Sequence, residues 1–288
     1  MITNQDLIER IQKNVGVPWQ SQRSDGLSDG LQLGSANAKV TGIITTFAPS
    51  LNVLKQAVAS GKTTIICREG PFYSRGERAP IGWRNAPAPP KELIDADTVC
   101  RAKQEFITEH NISVIRFFDN WDARETDGQL RGLADALAWH QFHVAERHGG
   151  DEYDPQNVYF MVPETSLASL ARNIKHTLKL QALRVIGDAP SRVRKAALFH
   201  GLLLVADAER ILSEPDVDVV VAGDAVEWEA VPYFQDLVTA GKAKGLILIG
   251  QEASEEPGMR VMAGWLRGFI SEIPIEWIPA GEPFWTLT

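Results

Sequence analysis

An apolar run that stops abruptly on charge constrains this chain most. In Lys62-Thr-Thr-Ile-Ile-Cys-Arg-Glu-Gly-Pro-Phe-Tyr73, the run ends at Cys67, Arg68 and Glu69 follow at once, and Gly70-Pro71 closes the segment. A short β-rich apolar run bounded by turn residues reads as a buried strand. In an α/β sheet, ligands gather outside the carboxyl ends of the strands. Arg68 and Glu69 stand where such a site would be. The plainer reading is a surface ion pair at a strand end.

The remaining segments fit the same architecture. Apolar spacing predicts helices over residues 4–15, 51–59, 95–110, 130–144, 166–180, 228–240 and 257–270. Thr3 or Asn4 would cap the first, Ser50 the second, and Gly61 would end the second. Strands are expected at 40–47, 63–67, 112–118, 158–162, 183–186, 196–198, 217–222, 246–249 and 273–278, with a glycine-punctuated turn and short strand over 26–35. Residues 72–91, rich in proline and arginine, read as a long irregular loop. The polar stretch 148–156 is the candidate boundary. The expected organisation is α/β, with two related halves at 1–148 and 157–288.

Composition narrows the partners. A net charge of −8 over 288 residues argues against a nucleic-acid footprint, which needs a basic patch. No run approaches membrane-spanning length. Residues 1–15 mix acids and bases and do not read as a signal peptide. Cys67 and Cys100 form no paired motif, so reduced thiols in a cytoplasm are expected.

Residues 56–69 and 236–252 echo one another. Each runs from a helix end through Ala/Ser-Gly-Lys into an apolar strand and a polar tip. The echo suggests two related halves with tips facing one pocket. The alternative is that helix, Gly-Lys, strand is a common local solution.

Asp29-Gly-Leu-Gln-Leu-Gly34, the unit 39–73, the Gly223-Asp224 tip and Gly250-Gln-Glu-Ala-Ser-Glu255 resemble the Nif-three-like family. Its members are often called GTP cyclohydrolase 1 type 2 homologues or dinuclear metal centre hexameric proteins. The resemblance covers most of the chain. It is closest to a branch with a His-Glu-Pro-like tip after the second strand and Arg-Phe-His-Asp-x-Trp-His after the third. It implies two α/β halves with a metal pair between them and assembly into dimers or hexamers.

The departures concern the ligands. Arg68 stands where the family has the histidine before Glu69. Phe118 and Asp122 replace the branch's two later histidines, and Gln251 replaces the histidine of the Gly-His segment. The resemblance leaves Glu69, Asp119, Asp122 and Glu255 as metal ligands. Arg68, Arg116, Gln251 and Asp224 are left to hold a small-molecule ligand. Carboxylates alone suit Mg or Mn rather than Zn or Fe. Either a hard cation binds weakly, or Arg68 fills the metal's space. The expected activity is metal-assisted hydrolysis of a small, nucleotide-like molecule; the alternative is a non-catalytic ligand-binding or scaffold protein.

The six histidines, His110, His140, His143, His148, His176 and His200, lie away from those positions. His140, His143 and His148 could form an accidental metal site, but solvated helix-end histidines explain them better. No serine-hydrolase elbow, phosphate-binding loop or dinucleotide fingerprint occurs.

Overall fold

In the computed structural model the described residues are 2–20, 29–72, 97–144 and 158–287. Their contacts define two units: Met1–Arg124 with Met262–Ala280, and Glu125–Val261 with Gly281–Thr288. Most of the expected loop at 72–91 and the expected boundary at 148–156 lie outside the described residues.

The first unit opens with α1 (Asn4–Asn14). Thr3 and Asp6 form a reciprocal capping box there: the Asp6 amide donates to Thr3 Oγ1, and the Thr3 amide donates to the Asp6 carboxylate. Then follow β1 (Gly30–Leu33), β2 (Ile43–Thr46), α2 (Leu51–Ala59), β3 (Thr64–Cys67), α3 (Thr98–Glu109) and β4 (Ser113–Arg116). Ser50 caps α2 as the sequence predicts. The sheet order is β1-β4-β3-β2-β10, where β10 is Ile275–Trp277. β2, β3, β4 and β10 run parallel, and β1 lies antiparallel on β4. Every residue of β2, β3 and β4 is buried, as expected for parallel strands covered on both faces. Ile44, Leu54, Ile65, Ile107 and Val114 carry the core.

The second unit contains α5 (Gly128–Ala136), β5 (Tyr159–Ser166), α6 (Leu167–Thr177), β6 (Arg184–Ile186) and β7 (Arg192–Leu203). It continues with α7 (Val205–Leu212), β8 (Val219–Ala225), α8 (Ala230–Thr239) and β9 (Gly245–Leu248). The helix α9 (Gln251–Arg267) follows; its last residues, from Met262, count with the first unit. The sheet order is β5-β7-β8-β9-β6, with β7, β8 and β9 parallel and β5 and β6 antiparallel at the edges.

Reading the second order backwards reveals the relation between the units. In the first, an antiparallel strand flanks the third member of a parallel triplet, giving β1-β4-β3-β2; in the second, β6-β9-β8-β7 repeats the arrangement. The order of the described elements repeats too: α1-β1-β2-α2-β3-α3-β4 matches α6-β6-β7-α7-β8-α8-β9. Only the fifth strands differ, β10 being parallel to β2 and β5 antiparallel to β7.

This topology re-registers the echo seen in the sequence. It pairs β3 with β8 and β4 with β9, whereas the echo pairs β3 with β9. The shared Gly-Lys is a helix cap used throughout the chain. Gly61 and Lys62 close α2 with bonds to the Val58 and Ala57 carbonyls, the two-bond Schellman cap. Asn111, Ala138, Lys179 and Gly241 occupy the same left-handed position after α3, α5, α6 and α8.

Several expected boundaries move for physical reasons. The helix expected over 130–144 ends at Ala136, because Ala138 adopts φ +57° and the chain turns into a short 3-10 segment, His140–Phe142. The helix expected from Pro257 begins at Gln251 and carries Pro257 inside it. α7 and the one-turn α4 (Asp119–Asp122) are additions; Leu204 and Phe118, which precede them, make no side-chain cap bond. α5 packs on β7, and β10 returns the C-terminal region to the first sheet.

Candidate functional site

The first unit gathers charge at the carboxyl ends of β3 and β4. Beyond Cys67 the ladder continues, the Arg68 amide donating to the Thr46 carbonyl and the Glu69 amide to that of Phe47. The Arg68 guanidinium is 3% exposed and grips Asp122 bidentately, Nη1 to Oδ1 at 2.7 Å and Nη2 to Oδ2 at 2.8 Å. Asp122 ends α4, so the short helix places its carboxylate opposite the β3 tip. This fork-to-carboxylate pairing is among the strongest that neutral pH allows.

Arg116 ends β4 and is 1% exposed. Its Nη1 donates to Asp29 Oδ1 at 2.9 Å and to Asp119 Oδ2 at 2.6 Å. Among the described residues, Nε and Nη2 are buried without an acceptor. Each unmade bond of this kind costs about 1–3 kcal/mol, more on a charged group. Asp29 is the hub of the turn. It also accepts from the amides of Phe118 (2.9 Å) and Asn120 (2.8 Å) and from Asn120 Nδ2 (2.9 Å). The Phe118 ring faces both arginines, its centroid 3.8 Å from the Arg68 guanidinium carbon and 4.7 Å from that of Arg116. Such cation–π contacts strengthen as water is excluded.

In the second unit, His200 sits near the carboxyl end of β7, where the ladder to β8 slips between Phe199 and Leu202. Its Nε2 lies 3.0 Å from Asp127 Oδ2 and its Nδ1 3.3 Å from Glu255 Oε1. Asp127 is also the N-cap of α5, its Oδ1 accepting from the Gln129 and Leu130 amides at 2.9 Å. Burial pushes the Asp127 carboxyl up, but the imidazole and the two amides outweigh it and hold the group below its ordinary range. Glu255, on α9, is 2% exposed, and its Oε2 takes the Gln251 amide nitrogen at 3.4 Å. Gly201 holds φ +71°, and a Cβ there would stand 2.8 Å from Glu255 Oε1, so glycine is required beside the carboxylate.

The expected site residues therefore fall into groups. Arg68 meets Asp122, and Arg116 meets Asp119. Glu69 follows β3, with its amide in the ladder. Glu255 belongs to the second unit, with His200 and Gln251. Asp224 is 45% exposed and pairs with Arg184. The sequence reading missed Asp29, Asp127 and His200. Asp29 was visible as the Asp-Gly turn before β1; His200 had only the following glycine to mark a strand tip. His143 instead packs its ring on Phe160 at 5.0 Å, and His148 lies outside the described residues.

The resemblance implies a metal pair held by Glu69, Asp119, Asp122 and Glu255, and two of these, Asp119 and Asp122, are engaged by arginine. Among the described residues, no group of three or more His, Cys, Asp or Glu is arranged to hold a metal ion. Nor is any helix among them long and apolar enough to cross a membrane.

Two α/β units of repeated topology, with charged tips on their parallel strands, define a two-half α/β protein. The family model for Duf34/NIF3 (NGG1p interacting factor 3) matches residues 3–279, and this chain belongs to that family. A Chlamydia pneumoniae protein called GTP cyclohydrolase 1 type 2 homolog is 25% identical over 264 residues, covering 89% of this chain and 90% of the relative. A Clostridium acetobutylicum protein of the same name is 21% identical over 257 residues, covering 88% and 87%. Among solved structures, a Staphylococcus aureus hypothetical protein aligns with TM-score 0.71 at 17% identity, covering 99% of each chain. A Bacillus cereus protein related to NIF3 aligns with TM-score 0.69 at 13% identity, again over 99% of each. At these identities the structures establish the shared fold.

Proposed function

We propose that this chain is a ligand-binding or scaffold member of the DUF34/NIF3 family, in which ion pairs in the first unit replace a metal centre. The observation that carries the reading is the bidentate Arg68–Asp122 pair, 2.7 and 2.8 Å, stacked on Phe118. Two of the family-aligned imidazole positions, those of Arg68 and Phe118, hold side chains that cannot ligate a transition metal. A third, Asp122, is a carboxylate already committed to a guanidinium. Any cation retained would be Mg or Mn, held by oxygen and weakly.

One observation favours the second reading, a hydrolase of a small nucleotide-like molecule such as the relatives' name suggests for them. Asp127, His200 and Glu255 bring an imidazole between two carboxylates, the groups that acid–base chemistry uses. The test is a hydrolysis screen of the full chain on nucleotides and phosphate esters with added manganese or magnesium. The binding reading expects no turnover. Turnover that depends on the metal and disappears in H200A would establish the hydrolase reading instead.

A further inference from the structure

Arg116 uses one of its three guanidinium nitrogens. Nη1 serves Asp29 and Asp119, while Nε and Nη2, both buried, have no acceptor among the described residues. Those two nitrogens form one edge of the planar group, the side-on fork with nearly parallel N–H bonds. A fork buried to 1% exposure and left unmade is a strong signal that something belongs on it. Beside it lies the half-buried ring of Phe118, centred 4.7 Å from the guanidinium carbon.

We propose that the Arg116 fork receives the carbonyl oxygen of an uncharged, planar ligand, a lactam, ureide or carboxamide ring, which lies against Phe118. Charge decides between this ligand and an anion. Arg68 is matched by Asp122, and Arg116 already meets two carboxylates at Nη1. At Arg116 itself two carboxylates, Asp29 and Asp119, already meet one guanidinium, so a further anion on it would be repelled where screening is weak. A carbonyl oxygen offers two in-plane lone pairs, one for each N–H, and adds no charge. The ring face supplies stacking to a flat molecule. The inference rests on the binding reading of the first unit and names its ligand class.

Benzamide and benzoate share shape and differ in charge, which makes them the discriminating probes. The full chain, labelled with ¹⁵N-arginine, gives an Nε–H signal for Arg116 that can be assigned through its own backbone. Benzamide and uracil should move that signal saturably. Benzoate should bind at least tenfold more weakly, and R116K should abolish the thermal shift caused by benzamide. If R116K does not fold, the signal of the unaltered chain decides alone. Equal or stronger response to benzoate would overturn the charge argument, and no response to any probe would overturn the site. Neither failure touches the hydrolysis screen, so the two readings fail separately.

Discussion

At the residue scale, Arg68 and Arg116 are bound to their partners by the cost of burying charge. Breaking one side of a buried ion pair strands the other, at about 3–5 kcal/mol for fully buried pairs. Asp122 is 30% exposed, so the lower part of that range applies to Arg68–Asp122. Chemical denaturation of R68M, D122L and the double variant should show each single change destabilising by about 3 kcal/mol. The double variant should lose less than the sum, because no lone charge remains. Strict additivity would mean the pair does not couple. A second residue-scale effect concerns Glu252 in the first turn of α9. Burial, and then the carboxylates of Glu256 and Glu282, raise its carboxyl to about 7. An acid whose folded value lies above its ordinary 4.5 favours the folded state when protonated, so its contribution weakens as pH rises from about 4.5 to 7. E252Q should therefore match the parent melting temperature near pH 4 and exceed it above pH 7. A gap independent of pH would contradict this assignment.

At the element scale, legibility followed how local each signal is. The buried strands β2, β3, β4 and β9 read correctly because an apolar run needs no long-range context. Caps written in one side chain, Thr3 and Ser50, were also legible. α7 was not, since Leu204 and Val205 extend the apolar run of β7 and nothing polar marks the break. The C-terminus of α5 was hidden because alanine occupies a left-handed position that usually advertises itself as glycine. The contact between α5 and α9 could not be foreseen either, for it depends on glycines far apart in sequence. A Cβ on Gly132 would stand 2.4 Å from the Gly258 amide nitrogen, and one on Gly258 1.4 Å from Gln129 Oε1. G132A must push the two helices apart and should lower stability by about 1–3 kcal/mol, as overpacking does. Unchanged thermal unfolding of G132A would show that the helices do not meet there.

At the scale of the whole molecule, the repeated α-β-β-α-β-α-β order accounts for the chain's two sets of strand tips. Recurring residues suggested that repeat, but the echo was registered one strand out, because a shared helix cap outweighed topology in the sequence. The first-unit cluster was half legible. Arg68, Arg116, Asp119 and Asp122 were named from strand ends and family likeness, whereas the hub Asp29 required the fold to bring it to Arg116. The His200 cluster was not legible, since Asp127 and Glu255 lie 73 and 55 residues from it in sequence. The central claim is that guanidinium–carboxylate pairing takes the place of a metal centre in the first unit. Elemental analysis of the purified chain, alongside R68H/F118H, tests it most directly. The account predicts no stoichiometric zinc, iron or nickel in the parent and a gain of transition-metal binding in the double variant. About two tightly bound transition-metal ions per parent chain would contradict it.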